Sequence, residues 1–249
     1  MSRPRLYIPA QRWASAVSLL PEERHYLIDV LRLRPESPLE VFDGQGKRCQ
    51  AVLAHDQNLW SLRLGERELT RADRPEVHLG MALLKGRKFD DLIRMISEMG
   101  VRTFTPVLCS RSVSRPEAHK GQNKTDRWQK IAAQAARQSR QSTVCQLSPP
   151  CPLDEWLGRA PPSSARLILH EGIQHRTLLD LLEAYPSAQR FLLVGPEGGF
   201  SEPEVEKANK SGFLPVGLGL PVLRAETAAI ASCALACLDR TPGLSNSKK

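Results

Sequence analysis

The sequence predicts an α/β protein in two parts: a small β-barrel over about the first 70 residues, then a domain built on a mainly parallel sheet. Three observations carry that expectation. Short strand-like runs follow one another closely through residue 64. Residues 70–75 are charged, end in proline and read as a linker. Beyond them, strand-like and helix-like patterns alternate, as they do where helices cover a parallel sheet. The two parts are therefore taken as residues 1–72 and 73–249.

In the first part, Leu6-Tyr7-Ile8, Leu39-Glu40-Val41-Phe42, Gln50-Ala51-Val52-Leu53 and Trp60-Ser61-Leu62-Arg63-Leu64 are strand candidates. Asp43-Gly44-Gln45-Gly46 between two of them is a hairpin signal. A helix is expected over 22–31, entered through Pro21. In the second part, 78–84 is an apolar run. Phe89, Leu92, Ile93, Ile96 and Met99 follow helical spacing, and Gly100 is a natural stop. Residues 103–108 form the next strand candidate. Residues 110–124 read as a basic, polar loop, with a helix starting near Thr125 or Asp126. That helix would carry Trp128, Ile131, Ala132 and Ala135 on one face, and Arg127, Lys130, Arg137 and Arg140 on the other. Residues 149–162 hold five prolines and read as a connecting segment. Strands at 166–170 and 191–194, a helix around 178–184 and an alanine-rich helix over 227–238 complete the pattern.

With 249 residues the chain can bury a sizeable core. No run of about 18 apolar residues is present, so a membrane-spanning helix is not expected. The first residues have no apolar core of the kind a secretory signal needs. The six cysteines form no CxxC pair and the six histidines no HxxxH pair. Reduced thiols are expected, and neither a structural zinc nor a zinc hydrolase. Lys and Arg number 35 against 27 Asp and Glu, a net +8. Residues 76–145 hold 13 basic and 6 acidic side chains, against 12 and 10 before them and 10 and 11 after. Nearly the whole excess sits in the middle third, as expected of a phosphate-rich partner or of a solvated helical face.

Two segments carry the chemistry. Leu192-Leu193-Val194 runs into Gly195-Pro196-Glu197-Gly198-Gly199-Phe200, after which Ser201 can cap a helix with Glu204 as its capping-box partner. The glycines allow a sharp turn and a close approach to a ligand. The spacing is neither GxGxxG nor GxxxxGK[ST], so no Rossmann fingerprint or P-loop is present. Further on, an apolar loop with Gly217 and Gly219 leads to Arg224-Ala225-Glu226-Thr227 and the alanine-rich helix. Leu169-His170-Glu171-Gly172 stands at another strand end. In open parallel sheets ligands lie beyond the carboxyl ends of the strands.

Together these motifs resemble the SPOUT, or trefoil-knotted, S-adenosylmethionine-dependent RNA methyltransferases, and within them the bacterial small-subunit rRNA uracil-N3 methyltransferase family. The resemblance spans nearly the whole chain. It includes Arg5-Leu6-Tyr7-Ile8, His25-Tyr26-Leu27, Val30-Leu31-Arg32, Leu84-Lys85-Gly86 with Lys88, and Glu98-Met99-Gly100-Val101. It continues through Arg111-Ser112-Val113, Arg127-Trp128, Ala135-Ala136 and Gln138-Ser139 to the specific motifs at 195–200 and 223–228. Where the family usually reads Glu-Ala-Ala-Glu-Gln-Ser-Gly, this chain has Gln134-Ala135-Ala136-Arg137-Gln138-Ser139-Arg140, and two of the changes add positive charge. Arg87 likewise replaces an aspartate.

The resemblance implies an N-terminal PUA-like RNA-binding barrel and a deep trefoil knot over about 166–235. It implies a cytoplasmic homodimer, S-adenosylmethionine as cofactor and small-subunit ribosomal RNA as partner, with no metal and no membrane. The cofactor would lie among three loops, carried here by Leu169, His170 and Glu171, by Gly195, Pro196, Glu197, Gly198 and Gly199, and by Leu218, Gly219, Leu223, Thr227 and Ala228. Arg224 would stabilise the deprotonated base, and Glu226 or Glu197 would orient it or take the proton. Arg224 and Glu226 could equally be a structural ion pair. Phosphate contacts are expected from Arg3, Arg5 and Arg32 in the barrel, and from Lys85, Arg87, Lys88, Arg111, Arg115 and Arg127 in the middle block. His25 suits RNA contact or a place in the core. Methylation of another base or of a ribose 2′-hydroxyl, and a non-catalytic role in ribosome assembly, remain open alternatives.

Overall fold

The computed structural model describes residues 3–70, 74–83, 88–112, 118–173, 176–184 and 186–238. Contacts divide the chain into two units, Met1–Ala72 with Ala133–Val144, and Asp73–Ala132 with Cys145–Lys249. Nothing local in the sequence sets 133–144 apart from the residues around it.

The first unit is a five-stranded sheet. β1 (Arg5–Tyr7), β2 (Ala16–Ser18), β3 (Pro38–Phe42), β4 (Lys47–Asp56) and β5 (Leu59–Leu69) stand in the order β1-β3-β4-β5-β2. β1 pairs parallel with β3 and the other pairings are antiparallel. Leu39 and Val41 on β3, and Cys49, Ala51 and Leu53 on β4, alternate with outward residues and close the core with Leu6, Ile8, Leu27 and Leu62. The expected hairpin at 43–46 joins β3 to β4. Asp43 accepts the amide protons of Gln45 and Lys47 at 2.7 and 2.9 Å. β2, only three residues long, gave no signal in the sequence.

The single helix expected over 22–31 is instead a short α1 (Pro21–Arg24) followed by a π-helical turn, His25–Val30. The wider turn brings Leu27 fully into the core while Val30 stays exposed.

The second unit is a parallel sheet. Its strands are β6 (Glu76–Ala82), β7 (Thr103–Leu108), β8 (Gln146–Leu147), β9 (Cys151–Pro152), β10 (Ala165–Leu169), β11 (Gln189–Val194) and β12 (Leu214–Val216). The order is β12-β10-β11-β6-β7-β8, with β9 also on β7, and every pairing is parallel. The helices are α2 (Lys88–Met99), α3 (Ala118–Gln138), which from Ala133 onward belongs to the first unit, α4 (Leu153–Leu157), α5 (Leu178–Ala184), α6 (Glu202–Lys210) and α7 (Ala225–Cys237). α2 buries Phe89, Leu92, Ile93 and Ile96, and Gly100 ends it with φ +92°.

Two expectations are corrected. α3 begins at Ala118, not near Thr125, because its first turns carry polar residues and Gly121 and so show no apolar period. The proline-rich 149–162 segment is not merely a connection: it holds β9 and α4, and Trp156 on α4 is 1% exposed. Five residues are too few to show a helical period. Gly80 on β6 makes room for that indole, since a Cβ there would stand 2.4 Å from it.

Candidate functional site

β10, β11 and β12 are neighbours with Ile168 opposite Leu193 and Leu169 opposite Val216. Their last residues, Leu169, Val194 and Val216, therefore line one edge, and the loops that follow converge there. From β11 the chain returns past β10 to β12, whereas from β6 it leaves the other way to β7. That divergence between β11 and β6 is a topological switch point, where ligands of open parallel sheets bind.

The first loop is held by the third. The His170 amide donates to Val216 O at 2.9 Å, the Gly217 amide to Arg176 O at 2.9 Å, and the Leu178 amide to Gly217 O at 2.8 Å. Only glycine fits at 217, because a Cβ would lie 1.9 Å from Ile173 O. His170 turns back on its own loop, its Nδ1 accepting the Gly172 amide at 3.1 Å. Leu169 is buried and Glu171 exposed.

The second loop turns tightly. The Gly199 amide donates to Pro196 O at 2.9 Å, with Gly199 at φ +68°. Pro196 is buried, while Glu197 and Gly198 are exposed. Arg111, expected to touch RNA, donates from Nη1 to Gly198 O at 2.7 Å and so braces this loop. Glu204 on α6 accepts the Ser201 amide and hydroxyl, both at 2.9 Å, and the Ser110 amide and hydroxyl at 2.6 and 3.0 Å. Burial works against its charge, yet these bonds hold the carboxyl below its ordinary value. The capping box was legible in sequence. The tie from Ser110 was not, because it joins residues 94 apart.

In the third loop Leu218 and Leu223 are half-buried, and Gly219 adopts φ +68°. Arg224 stands at the N-cap position of α7 without a capping hydrogen bond from its side chain, is exposed, and makes no ion pair among the described residues. The structural pairing of Arg224 with Glu226 is thus not found. Glu226 and Ala228 are half-buried on the first turn of α7, and Thr227 is exposed.

The other expected RNA contacts scatter. Arg3 is exposed and donates to Gln50 at 2.7 Å. Arg5 is not at the surface but 7% exposed, bound to Glu40 at 2.6 Å and stacked on Phe42. Burial with a carboxylate partner commits it to the barrel. His25 is not a core residue: its side chain is 69% exposed and pairs with Asp29 at 2.8 Å. Arg32 is exposed and Arg127 pairs with Asp90. Lys88 opens α2, while Lys85, Arg87 and Arg115 lie outside the described residues. Among the described residues no three His, Cys, Asp or Glu side chains group to hold a metal, and no helix is long and apolar enough to cross a membrane.

Comparison with known proteins matches residues 72–237 to a family described as an RNA methyltransferase domain, and 19–58 to an RNA methyltransferase PUA domain. A Synechocystis ribosomal RNA small subunit methyltransferase E is 34% identical over 88% of this chain and 72% of its own. A crystal structure of a Neisseria gonorrhoeae ribosomal RNA small subunit methyltransferase E bound to S-adenosyl methionine is 28% identical, with TM-score 0.79 over 94% of this chain and 96% of that one. A Legionella pneumophila structure in complex with bound SAM is 28% identical, with TM-score 0.81 over 95% and 97%.

Proposed function

The chain belongs to the SPOUT-class RNA methyltransferases that carry a PUA domain, and from that premise we infer that it methylates small-subunit ribosomal RNA with S-adenosylmethionine as methyl donor. The observation that carries this reading is the convergence of three loops beyond β10, β11 and β12. Half-buried Leu218 and Leu223, the buried Leu169 and the tight turn from Pro196 to Gly199 fit an adenosyl group held by shape and main-chain hydrogen bonds.

The acceptor in this reading is N3 of a uridine. The bound cofactor supplies an electrophilic methyl group, so the chain itself must orient the base and manage its proton. N3 is protonated in neutral uracil and engaged in pairing, so the base must be unpaired or flipped out. Arg224, exposed and without a carboxylate partner among the described residues, stabilises in this reading the negative charge left when the proton departs. Glu226 or Glu197 accepts that proton. RNA affinity comes mainly from phosphate contacts, Arg3 and Arg32 among them. The trefoil knot over about 166–235, the homodimer with its site near the interface, and a cytoplasmic location belong to the same proposal, on the strength of the family resemblance.

The test is methyl transfer from labelled S-adenosylmethionine to small ribosomal subunits lacking the modification, read by nucleoside mass spectrometry. The expected product is 3-methyluridine. Label in another nucleoside discards the uracil-N3 assignment. Absence of cofactor binding discards the enzyme reading in favour of an assembly factor.

A further inference from the structure

Among the described residues five non-glycine residues adopt a left-handed backbone, all of them in the first unit: Arg32 (φ 55°), Glu36 (68°), Gln57 (44°), Asn58 (65°) and Arg140 (61°). Two lie in a hairpin turn. Gln57 and Asn58 join β4 to β5, where a two-residue hairpin turn requires positive φ. Glu36 pairs with Arg63 at 2.6 Å. Arg32 and Arg140 have none of these.

Both arginines follow the end of a helical turn, where glycine is the ordinary residue. The Gln141 amide donates to Ala136 O at 3.0 Å and closes the end of α3 over Arg140. The Leu33 amide donates to Leu27 O at 3.0 Å and does the same over Arg32. At both places the backbone would be more comfortable with glycine. Both side chains are exposed, and neither pairs with a carboxylate among the described residues.

The two ends are linked. Arg137, in the last turn of α3, stacks its guanidinium 3.8 Å above the ring of Tyr26, in the π-helical turn that precedes Arg32. Arg140 lies near enough to the buried Arg5 to oppose its charge, while Arg5 itself is paired with Glu40 at 2.6 Å. Arg32 and Arg140 thus hold exposed positive charge at left-handed positions, neither with a carboxylate partner among the described residues. Strain held at a surface position is a sign of function.

We propose that Arg32 and Arg140 form a two-point phosphate contact of the first unit for RNA, retained at these left-handed positions for binding and at a cost in stability. This rests on the RNA methyltransferase reading. The Arg137–Tyr26 contact ties the end of α3 to the turn that precedes Arg32.

The experiment compares the wild-type chain with Arg32→Gly, Arg140→Gly, the double variant, and Arg140→Lys. Affinity for unmodified small ribosomal subunits is measured across a salt series, alongside thermal unfolding and S-adenosylmethionine affinity. The glycine variants should unfold at higher temperature than wild type. They should bind subunits severalfold more weakly at low salt, with the log-log salt slope shallower by about one per arginine removed. Arg140→Lys should keep the affinity and slope without the gain in stability. Cofactor affinity should not change. Wild-type binding with unchanged affinity and slope in the double glycine variant overturns this proposal alone. A wild-type chain that binds no subunits overturns it together with the RNA reading.

Discussion

The carbonyl oxygen of Ile173 stands 1.9 Å from where a Cβ on Gly217 would be, and backbone cannot swing aside as a side chain can. Gly217→Ala should therefore separate the first and third loops. We expect about 1–3 kcal/mol of lost stability, of the kind overpacking brings, measured by chemical denaturation. S-adenosylmethionine affinity, read by calorimetry, should fall with it. Arg224 is the opposite case. Its side chain is exposed, so Arg224→Ala should change stability by no more than about 0.5 kcal/mol. Turnover should nearly vanish while cofactor affinity holds. An equal loss of cofactor affinity would remove Arg224 from the chemistry and make it a binding residue. The type of residue at both positions was readable from the chain. That Gly217 is required by Ile173, and that Arg224 makes no ion pair among the described residues, was not.

α6 and α7 show how an element is held beside the site. Glu204 caps α6 and ties Ser110 to it, and its carboxyl is held below the ordinary 4.5 by hydrogen bonds that overcome burial. Its contribution is present above the unfolded glutamate value and is lost as pH falls through the lower folded value. Glu204→Gln should therefore be less stable than wild type at pH 7, and the gap should shrink under acid. A gap that stays constant between pH 7 and pH 3 would mean the charge does nothing here. α7 is made of small residues, and its carboxyl end is met by Arg190, which is buried and donates from Nη1 to Ala236 O at 2.7 Å and Leu238 O at 3.1 Å. A cation at a helix C-terminus is favourable. Arg190→Met should cost about 1.5–3 kcal/mol, the range of hydrogen bonds to a charged group, with a matching fall in the denaturation midpoint.

At the scale of the whole molecule, all six cysteines are unbridged and burial raises every thiol. Cys109 and Cys145 are pushed up to about 12 and Cys237 to about 11. Folded protein should be inert to a thiol reagent at pH 8 and react at all six positions once unfolded. Because these values are raised, the stabilisation is intact below the ordinary thiol value of 9.0 and is lost as pH climbs toward 11 to 12. Rapid reaction of Cys145 in folded protein would contradict its burial. The sequence by itself determined what neighbours within a few positions decide. The apolar run of β11, the 92/93/96 stripe of α2, the Asp43 hairpin and the Ser201–Glu204 cap each depend on spacings of two to four residues. It also determined the family, through the order of its motifs. Only the tertiary structure decided that Arg111 braces Gly198 across 87 residues, that Arg5 is buried on Glu40 and that Trp156 occupies the space left by Gly80. It alone assigned 133–144 to the first unit. Periodicity and capping are local properties of a chain. Which distant side chains meet is fixed only when the elements pack, and no local pattern records that choice.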